Sequence, residues 1–352
     1  MKPKLTSEDS RRLSALRFPL IVAVVFIHAN NDRIGMPDPA GGSELWVHWM
    51  RRFVSEGLAA TAVPLFFLIS GYLFFAGWEF SRAAFVAKLR GRVRTLLVPY
   101  LLWNVALAAA LAIASMLPQT KDLLSGKQGA FLDEGPLAWV SAIGGLTGPP
   151  VVYQFWFLRD LMVAVLLVPL WHAAHRFLPG LWVLVLGVLW FTHSWPLPLP
   201  SIVSLLFFFL GSWVASSGRS LFALDRAWPW LGGLYLILLT VEIVGGRSEL
   251  HQLAILLGIL SALGLSRRLA DGTLGQTLRS LSASAFLVFA VHEPVLTIGR
   301  RIVAKLTGPA SPMLDLALFA VLPIAVIVFA CLLNGLLRRL TPRLAAVITG
   351  GR

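Results

Sequence analysis

Residues Arg17 to Asn30 read RFPLIVAVVFIHAN, an apolar run with an arginine at its start and a histidine near its end. A membrane-spanning helix needs about 20 mostly apolar residues, and the segment beginning near Leu13 supplies one. Hydrocarbon penalises both Arg17 and His28, so their retention needs a reason. Eleven residues turn a helix through about 1,100°, only about 20° from three full turns, and advance it by about 16 Å. The two side chains therefore share one face at opposite ends, and Pro19 is tolerated this near a helix start. Two readings fit: Arg17 snorkels to one interface while His28 marks the other, or the pair is functional.

The rest of the chain has the same character. Of 352 residues, 57% are hydrophobic and 13% charged, with a mean hydropathy of +0.77, whereas a soluble domain carries about a quarter charged residues. The chain reads as an integral membrane protein. Its net charge of +13 would suggest nucleic acid in a soluble domain. Here Lys and Arg concentrate in short segments between apolar runs, so the charge signals topology and contact with anionic membrane lipids, and nucleic acid is not an expected partner. The single cysteine, Cys331, excludes an internal disulfide and a cysteine metal cluster. No His-x-x-x-His pair with a Glu occurs, and no metal site is expected. Lys2, Lys4, Arg11 and Arg12 resemble the basic start of a signal peptide, but no small-residue cleavage site follows, and the first segment is read as retained.

About ten apolar segments satisfy the spanning criterion, beginning near Leu13, Gly57, Thr95, Phe155, Gly180, Leu199, Pro229, His251, Ser282 and Leu314. Gly57 to Gly77, Thr95 to Leu117 and Leu316 to Leu337 contain no charge. The stretch from Phe177 to Gly218 must hold two helices, split at SWPLPLP (Ser194 to Pro200), because proline-rich sequence does not continue a helix. With the N-terminus inside, Lys88, Arg90, Arg92, Arg94, Arg176, Arg219, Arg226, Arg267, Arg268, Arg279, Arg338, Arg339 and Arg343 all face the cytoplasm. Arg300, Arg301 and Lys305 break that pattern. The expected fold is all-α: a polytopic bundle of about ten transmembrane helices with both termini cytoplasmic, forming one domain over residues 1–352 with no fused soluble domain. The connection from Pro118 to Gln154 is a candidate lid or acceptor platform.

Charges inside spanning helices are few, and each is by default a functional hypothesis. KLRGRVRTLLVPY holds four cations, Lys88, Arg90, Arg92 and Arg94. Positive-inside topology alone produces such a cluster, but arginine forks also suit phosphate oxygens. Arg90 and Arg94 share a face if this segment is helical, while Arg92 points elsewhere. Arg159 and Asp160 in FWFLRDL are adjacent and point about 100° apart on a helix, so pairing with a neighbouring helix is expected of each. His292 and Glu293 in FAVHEPVL precede Pro294, whose ring frees a backbone carbonyl that a polar site can use. Glu242 lies near the end of the seventh segment. Ser70 and Gly71 lie mid-helix in LFFLISGYLFF, where small residues permit close helix approach, and the strand-turn-helix setting of a nucleophilic serine is absent.

Taken in order, these pieces resemble the acyltransferase-3 family of multi-spanning membrane acyltransferases, including enzymes that O-acetylate or O-succinylate bacterial surface polysaccharides. The resemblance rests on Arg17 and His28 with ten residues between them, PLFFLISGYLFF, LRGRVRTLLVPYLLWN, FWFLRDL and FAVHEPVL. It implies that His28 is the catalytic residue and that Arg17, Arg90 and Arg94 hold the phosphates of a cytoplasmic acyl-CoA, with acetyl-CoA as the expected donor substrate and no tightly bound cofactor. Ser70, Asn104, Trp156, Arg159, Asp160, His292 and Glu293 are then candidate supporting polar residues. A neutral histidine acts as general base on an acceptor hydroxyl of a glycan or lipid-linked sugar, or alternatively carries the acyl group as an acyl-imidazole. The implied location is the bacterial inner membrane. A transporter or flippase for a lipid-linked or polar solute is the competing class; it predicts paired inverted repeats, which the sequence does not display.

Overall fold

The computed structural model describes residues 5–30, 39, 41–116, 131–307 and 311–351. Among them the chain is helical throughout, in the order α1 (Ser7–Ala29), α2 (Gly42–Arg52), α3 (Ala62–Phe75), α4 (Arg82–Arg92), α5 (Val98–Met116), α6 (Pro136–Gly144), α7 (Trp156–Leu166) and α8 (Val168–Arg176). There follow α9 (Pro179–Phe191), α10 (Ile202–Ser216), α11 (Trp228–Gly245), α12 (His251–Leu269), α13 (Gly272–Leu281), α14 (Ala285–Thr307), α15 (Pro312–Leu340) and α16 (Pro342–Thr349). The outer surface is apolar: Ile113, Met116, Leu184, Ile237, Val321 and Leu332 are all exposed. A lipid solvent accommodates such a surface and water does not.

Each of the ten apolar segments is a helix or a helix pair, but they are not ten equal spans. Among the described residues seven helices are long and apolar enough to cross a membrane, or eight if α7 and α8 form one broken span, bent by 56°. Leu167 and Pro169 lie at that bend; the proline has no N–H to donate back along the helix. The segments α9 and α10 have 13 and 15 residues and are shorter than a full crossing. Residues Thr192 to Ser201 separate them without helix, as the SWPLPLP stretch requires. The basic KLRGRVR stretch is not a loop. It lies on a helix that runs unbroken from Arg82 to Met116, through a π-helical turn at Val93–Leu97. Residues 118–130 of the connection read as a lid or platform lie outside the described residues, as do Lys2 and Lys4.

The helices group into two compact units. The first comprises residues 1–78 and 210–336, the second 79–209 and 337–352. In the first, α1 is central and packs against α3, α12, α13 and α14. Its start is fixed by a capping box, in which the Thr6 hydroxyl accepts from the Asp9 amide at 3.0 Å and Asp9 accepts from the Thr6 amide at 3.4 Å. Near this end Arg12, buried at 3% exposure, donates to both carboxylate oxygens of Asp225 at 2.6 and 2.8 Å, to Ser266 Oγ and to the Leu263 carbonyl. Its guanidinium also lies 3.6 Å over the Phe222 ring. Helices α11 and α12 form a hairpin around Tyr235, Leu239, Ile243, Ala254 and Leu257. Helix α11 ends at Gly246, in the left-handed conformation at φ +67°.

A close helix approach in this unit is made by Gly211 of α10 against α3. A Cβ added there would collide with the Leu68 carbonyl oxygen and lie 2.9 Å from the Tyr72 amide nitrogen. Main chain cannot move aside as a side chain does, so Gly211→Ala is expected to lower stability by about 1–3 kcal/mol. Thermal unfolding of the detergent-purified protein measures this; an unchanged midpoint would contradict the contact.

In the second unit α16 returns along α5, with Trp103 Nε1 donating to the Ile348 carbonyl at 3.0 Å. Helices α6 and α7 enclose a short turn, residues 145–152, which Tyr100 and Asn104 of α5 hold from one side: Tyr100 donates to the Gly144 carbonyl at 2.9 Å, and the Asn104 side-chain oxygen accepts from the Val152 amide at 2.8 Å.

Candidate active site

The unbroken run of α1 makes the Arg17 and His28 spacing real. Pro19 lies inside the helix without ending it. Arg17 is exposed on the helix surface and His28 is half-buried, one residue before the helix ends. The last carbonyls of a helix lack internal partners and carry the negative end of its dipole. Here arginines satisfy two of them. Arg300 of α14 donates to the His28 carbonyl at 2.6 Å, and Arg51 of α2 donates to the Ala29 carbonyl at 3.3 Å. Arg51 also donates to the Asn30 side chain at 3.0 Å and pairs with Asp315. Asn30 in turn donates to Glu56 at 3.2 Å. This network fixes the end of α1, and with it the backbone that carries His28.

The imidazole of His28 meets that of His292, with ring centroids 5.0 Å apart and planes inclined by 46°. His292, on α14, is fully buried. Its Nδ1 lies 2.9 Å from the Phe289 carbonyl and 3.2 Å from the Val288 carbonyl. A carbonyl only accepts, so Nδ1 carries the proton and Nε2 of the neutral ring is left as an acceptor. Among the described residues Nε2 has no hydrogen-bond partner. A buried acceptor without a partner is costly, and the ring that carries it packs against the His28 imidazole. Glu293, the next residue, turns away to accept from Thr297 Oγ1 at 2.8 Å.

The profile of the family described as an acyltransferase domain matches residues 11–334. The chain belongs to the acyltransferase-3 family. It is 28% identical over 362 residues to the succinoglycan biosynthesis protein ExoH of Rhizobium meliloti (strain 1021), an alignment covering 97% of this chain and 92% of the relative. No solved structure matches it significantly. The chain is thus a multi-pass membrane acyltransferase, and the matched region contains every site candidate named from the sequence.

The remaining candidates of this acyltransferase fall into separate groups. In the second unit Arg90 and Arg94 are both exposed, and both lie on the helical run that their shared face requires. The π-helical turn that carries Arg94 is a distortion common at functional positions. Arg159 and Asp160 depart from the expectation that each would find a partner elsewhere. The arginine side chain curls back, and Nε and one terminal nitrogen lie 3.0 and 2.9 Å from the Asp160 carboxylate. Length overcomes the 100° offset, because a guanidinium on three methylenes reaches sideways along the helix. The pair then acts as one clamp. Arg159 donates to the Gly145 and Gly148 carbonyls, both at 2.7 Å, and Asp160 accepts from the Ser201 amide at 2.7 Å. With Asn104 these residues fix the turn between α6 and α7 and the entry to α10. Trp156 begins α7 and Ser70 lies on α3, each half-buried.

Sequence reading missed Arg12 and Arg51, which the positive-inside pattern absorbs as interface charges. It flagged Arg300 only as an exception to topology. That exception was the available signal: a cation on the sparsely charged side of a membrane protein has a local reason to be there.

Proposed function

We propose that the protein is an acyl-CoA-dependent O-acyltransferase of the bacterial inner membrane. It transfers an acyl group, with acetyl as the simplest case, from the cytoplasmic side to a hydroxyl of an envelope polysaccharide or its lipid-linked precursor. The juxtaposition of His28 and His292 at the end of α1 away from Arg17 carries this reading. The distribution of basic residues favours cytoplasmic termini, and in that orientation Arg17 lies toward the donor and His28 about 16 Å further along the helix. Arg17, Arg90 and Arg94 hold donor phosphates, for which guanidinium forks are suited. The thin acyl-bearing arm follows α1. His28 takes the proton of the acceptor hydroxyl as its oxygen attacks the thioester carbonyl; the carbon–sulfur bond breaks, and the proton passes to the departing thiolate. His292, held by main-chain carbonyls, packs against this base and limits its rotation. The polysaccharide acceptor is supported by the similarity to a succinoglycan biosynthesis protein, and the whole chain acts as one domain.

The test is direct. Purified protein given acetyl-CoA labelled in its acetyl group is expected to release free CoA and to place label on an added glycan. If neither labelled acetyl-CoA nor labelled succinyl-CoA is hydrolysed or used, the reading fails.

A further inference from the structure

In the second unit, α16 touches the helical run of α4 and α5 at Trp103, whose Nε1 donates to the Ile348 carbonyl, and again at Thr95, the residue after Arg94. There Gly350 lies against main chain. A Cβ added to Gly350 would collide with the Thr95 carbonyl oxygen and lie 3.0 Å from both the carbonyl carbon and Cα of Thr95. Glycine suits this position twice over: it has no Cβ, and its φ of +71° is a left-handed conformation that glycine adopts without strain. The turn that ends α16 is closed on itself, the Gly350 amide donating to the Val347 carbonyl and the Gly351 amide to the Ala346 carbonyl. Thr349 and Ala345 of α16 are buried, as is Leu96 beside Thr95.

Thr95 belongs to the π-helical turn Val93–Leu97, where the Val98 amide reaches back five residues to the Val93 carbonyl. Such a turn holds one residue more than an α-helical one, so its loss would rotate the segment before it, with Arg90, by about 100° relative to α5. Turns of this kind are rare and persist where surrounding structure holds them. We propose that Gly350 is a positioning residue for donor binding: the last turn of α16 braces the π-helical turn, which sets the direction in which Arg90 and Arg94 leave the helix. This rests on the assignment above of those two arginines to the donor phosphates. Both are exposed, so the backbone beneath them decides where each guanidinium fork begins, and two forks serve one ligand only if their bases keep a fixed relation. Trp103 lies eight residues beyond Thr95, about 12 Å along the helix, and its bond to Ile348 keeps α16 in register for the Gly350 contact.

The experiment reads CoA binding to the detergent-purified full chain by isothermal titration calorimetry, with Gly351→Ala as the matched control. Gly351 has a φ of +74° and nothing within 4 Å of an added Cβ, so alanine there carries the left-handed strain without the collision. Gly350→Ala is expected to weaken CoA binding about tenfold, the scale of a charge-assisted hydrogen bond, while Gly351→Ala binds as wild type does. Trp103→Phe, which loses the bond to Ile348, should weaken binding in the same direction by a smaller factor. In an Arg94→Gln background the loss caused by Gly350→Ala should shrink, because part of it passes through that side chain. Wild-type affinity in Gly350→Ala, an equal loss in Gly351→Ala, or an undiminished further loss in the Arg94→Gln background overturns the proposal and leaves the donor assignment standing. If Gly350→Ala does not fold, wild-type affinity in Trp103→Phe overturns it. A wild type that binds no CoA, or that loses no affinity on Arg94→Gln, overturns the donor assignment and the proposal with it.

Discussion

His28→Ala is expected to lower acyl transfer by about 10²–10⁴-fold, the range that a positioned general base supplies, while leaving the bundle folded. The structure separates those two effects. Arg300 grips His28 through its backbone carbonyl, a group that alanine retains, and the next residue keeps its bond from Arg51. What alanine removes is the imidazole packed against His292. Acyl-CoA affinity should hold, because the residues assigned to the donor phosphates lie elsewhere. The informative comparison is therefore turnover against donor binding, with thermal unfolding as a control. A variant that transfers acyl groups at the wild-type rate would remove His28 from the chemistry. A variant that fails to fold would show its side chain to be structural, against its half-exposed position.

The second large effect is expected from Arg12→Ala, and it falls on stability. Arg12 and Asp225 form a pair whose side chains are 3% and 18% exposed. Removing one partner of a buried pair leaves an uncompensated charge and costs about 3–5 kcal/mol. Arg12→Lys keeps the charge but loses the two-pronged contact with Asp225 and the bonds to Ser266 and Leu263, so it should fall between alanine and wild type. Arg12 precedes His28 by 16 residues, about 24 Å of helix. The fraction of Arg12→Ala that remains folded should thus keep its specific activity. The readouts are the apparent melting temperature and the monodisperse fraction in detergent; equal melting of Arg12→Ala and wild type would overturn the assignment.

How much of this the sequence discloses depends on whether a residue acts within its own helix or across to another. Spacing along α1 is local, so the shared face of Arg17 and His28 follows from helical rotation alone, and the helix keeps it despite Pro19. The apolar segments are likewise local, and each becomes a helix or helix pair. Their lengths were less legible: nothing in the composition of FWFLRDLMVAVLLVPLWHAAHR measures a bend of 56°. Partners distant in sequence were not legible at all. His28 and His292 are 264 positions apart in the chain, and their contact depends on how α1 and α14 pack. The roles of Arg12 and Arg51 were hidden for another reason. Residue type alone does not distinguish an arginine at the interface from one buried a turn deeper against an aspartate, and both of these prove buried.

The placement of α1 also bears on how the protein is made. Helix α1 is synthesised well before its neighbours α12, α13 and α14, the earliest of which begins at His251. Until residues 225–266 are synthesised, Arg12 has neither its carboxylate nor its serine, and until α14 inserts, His28 faces no second imidazole. Helix α1 must therefore wait at the translocon or in lipid as a marginal, charged segment while more than 200 residues follow it. The pair of imidazoles is therefore assembled only once a helix more than 250 positions downstream of His28 has entered the bundle.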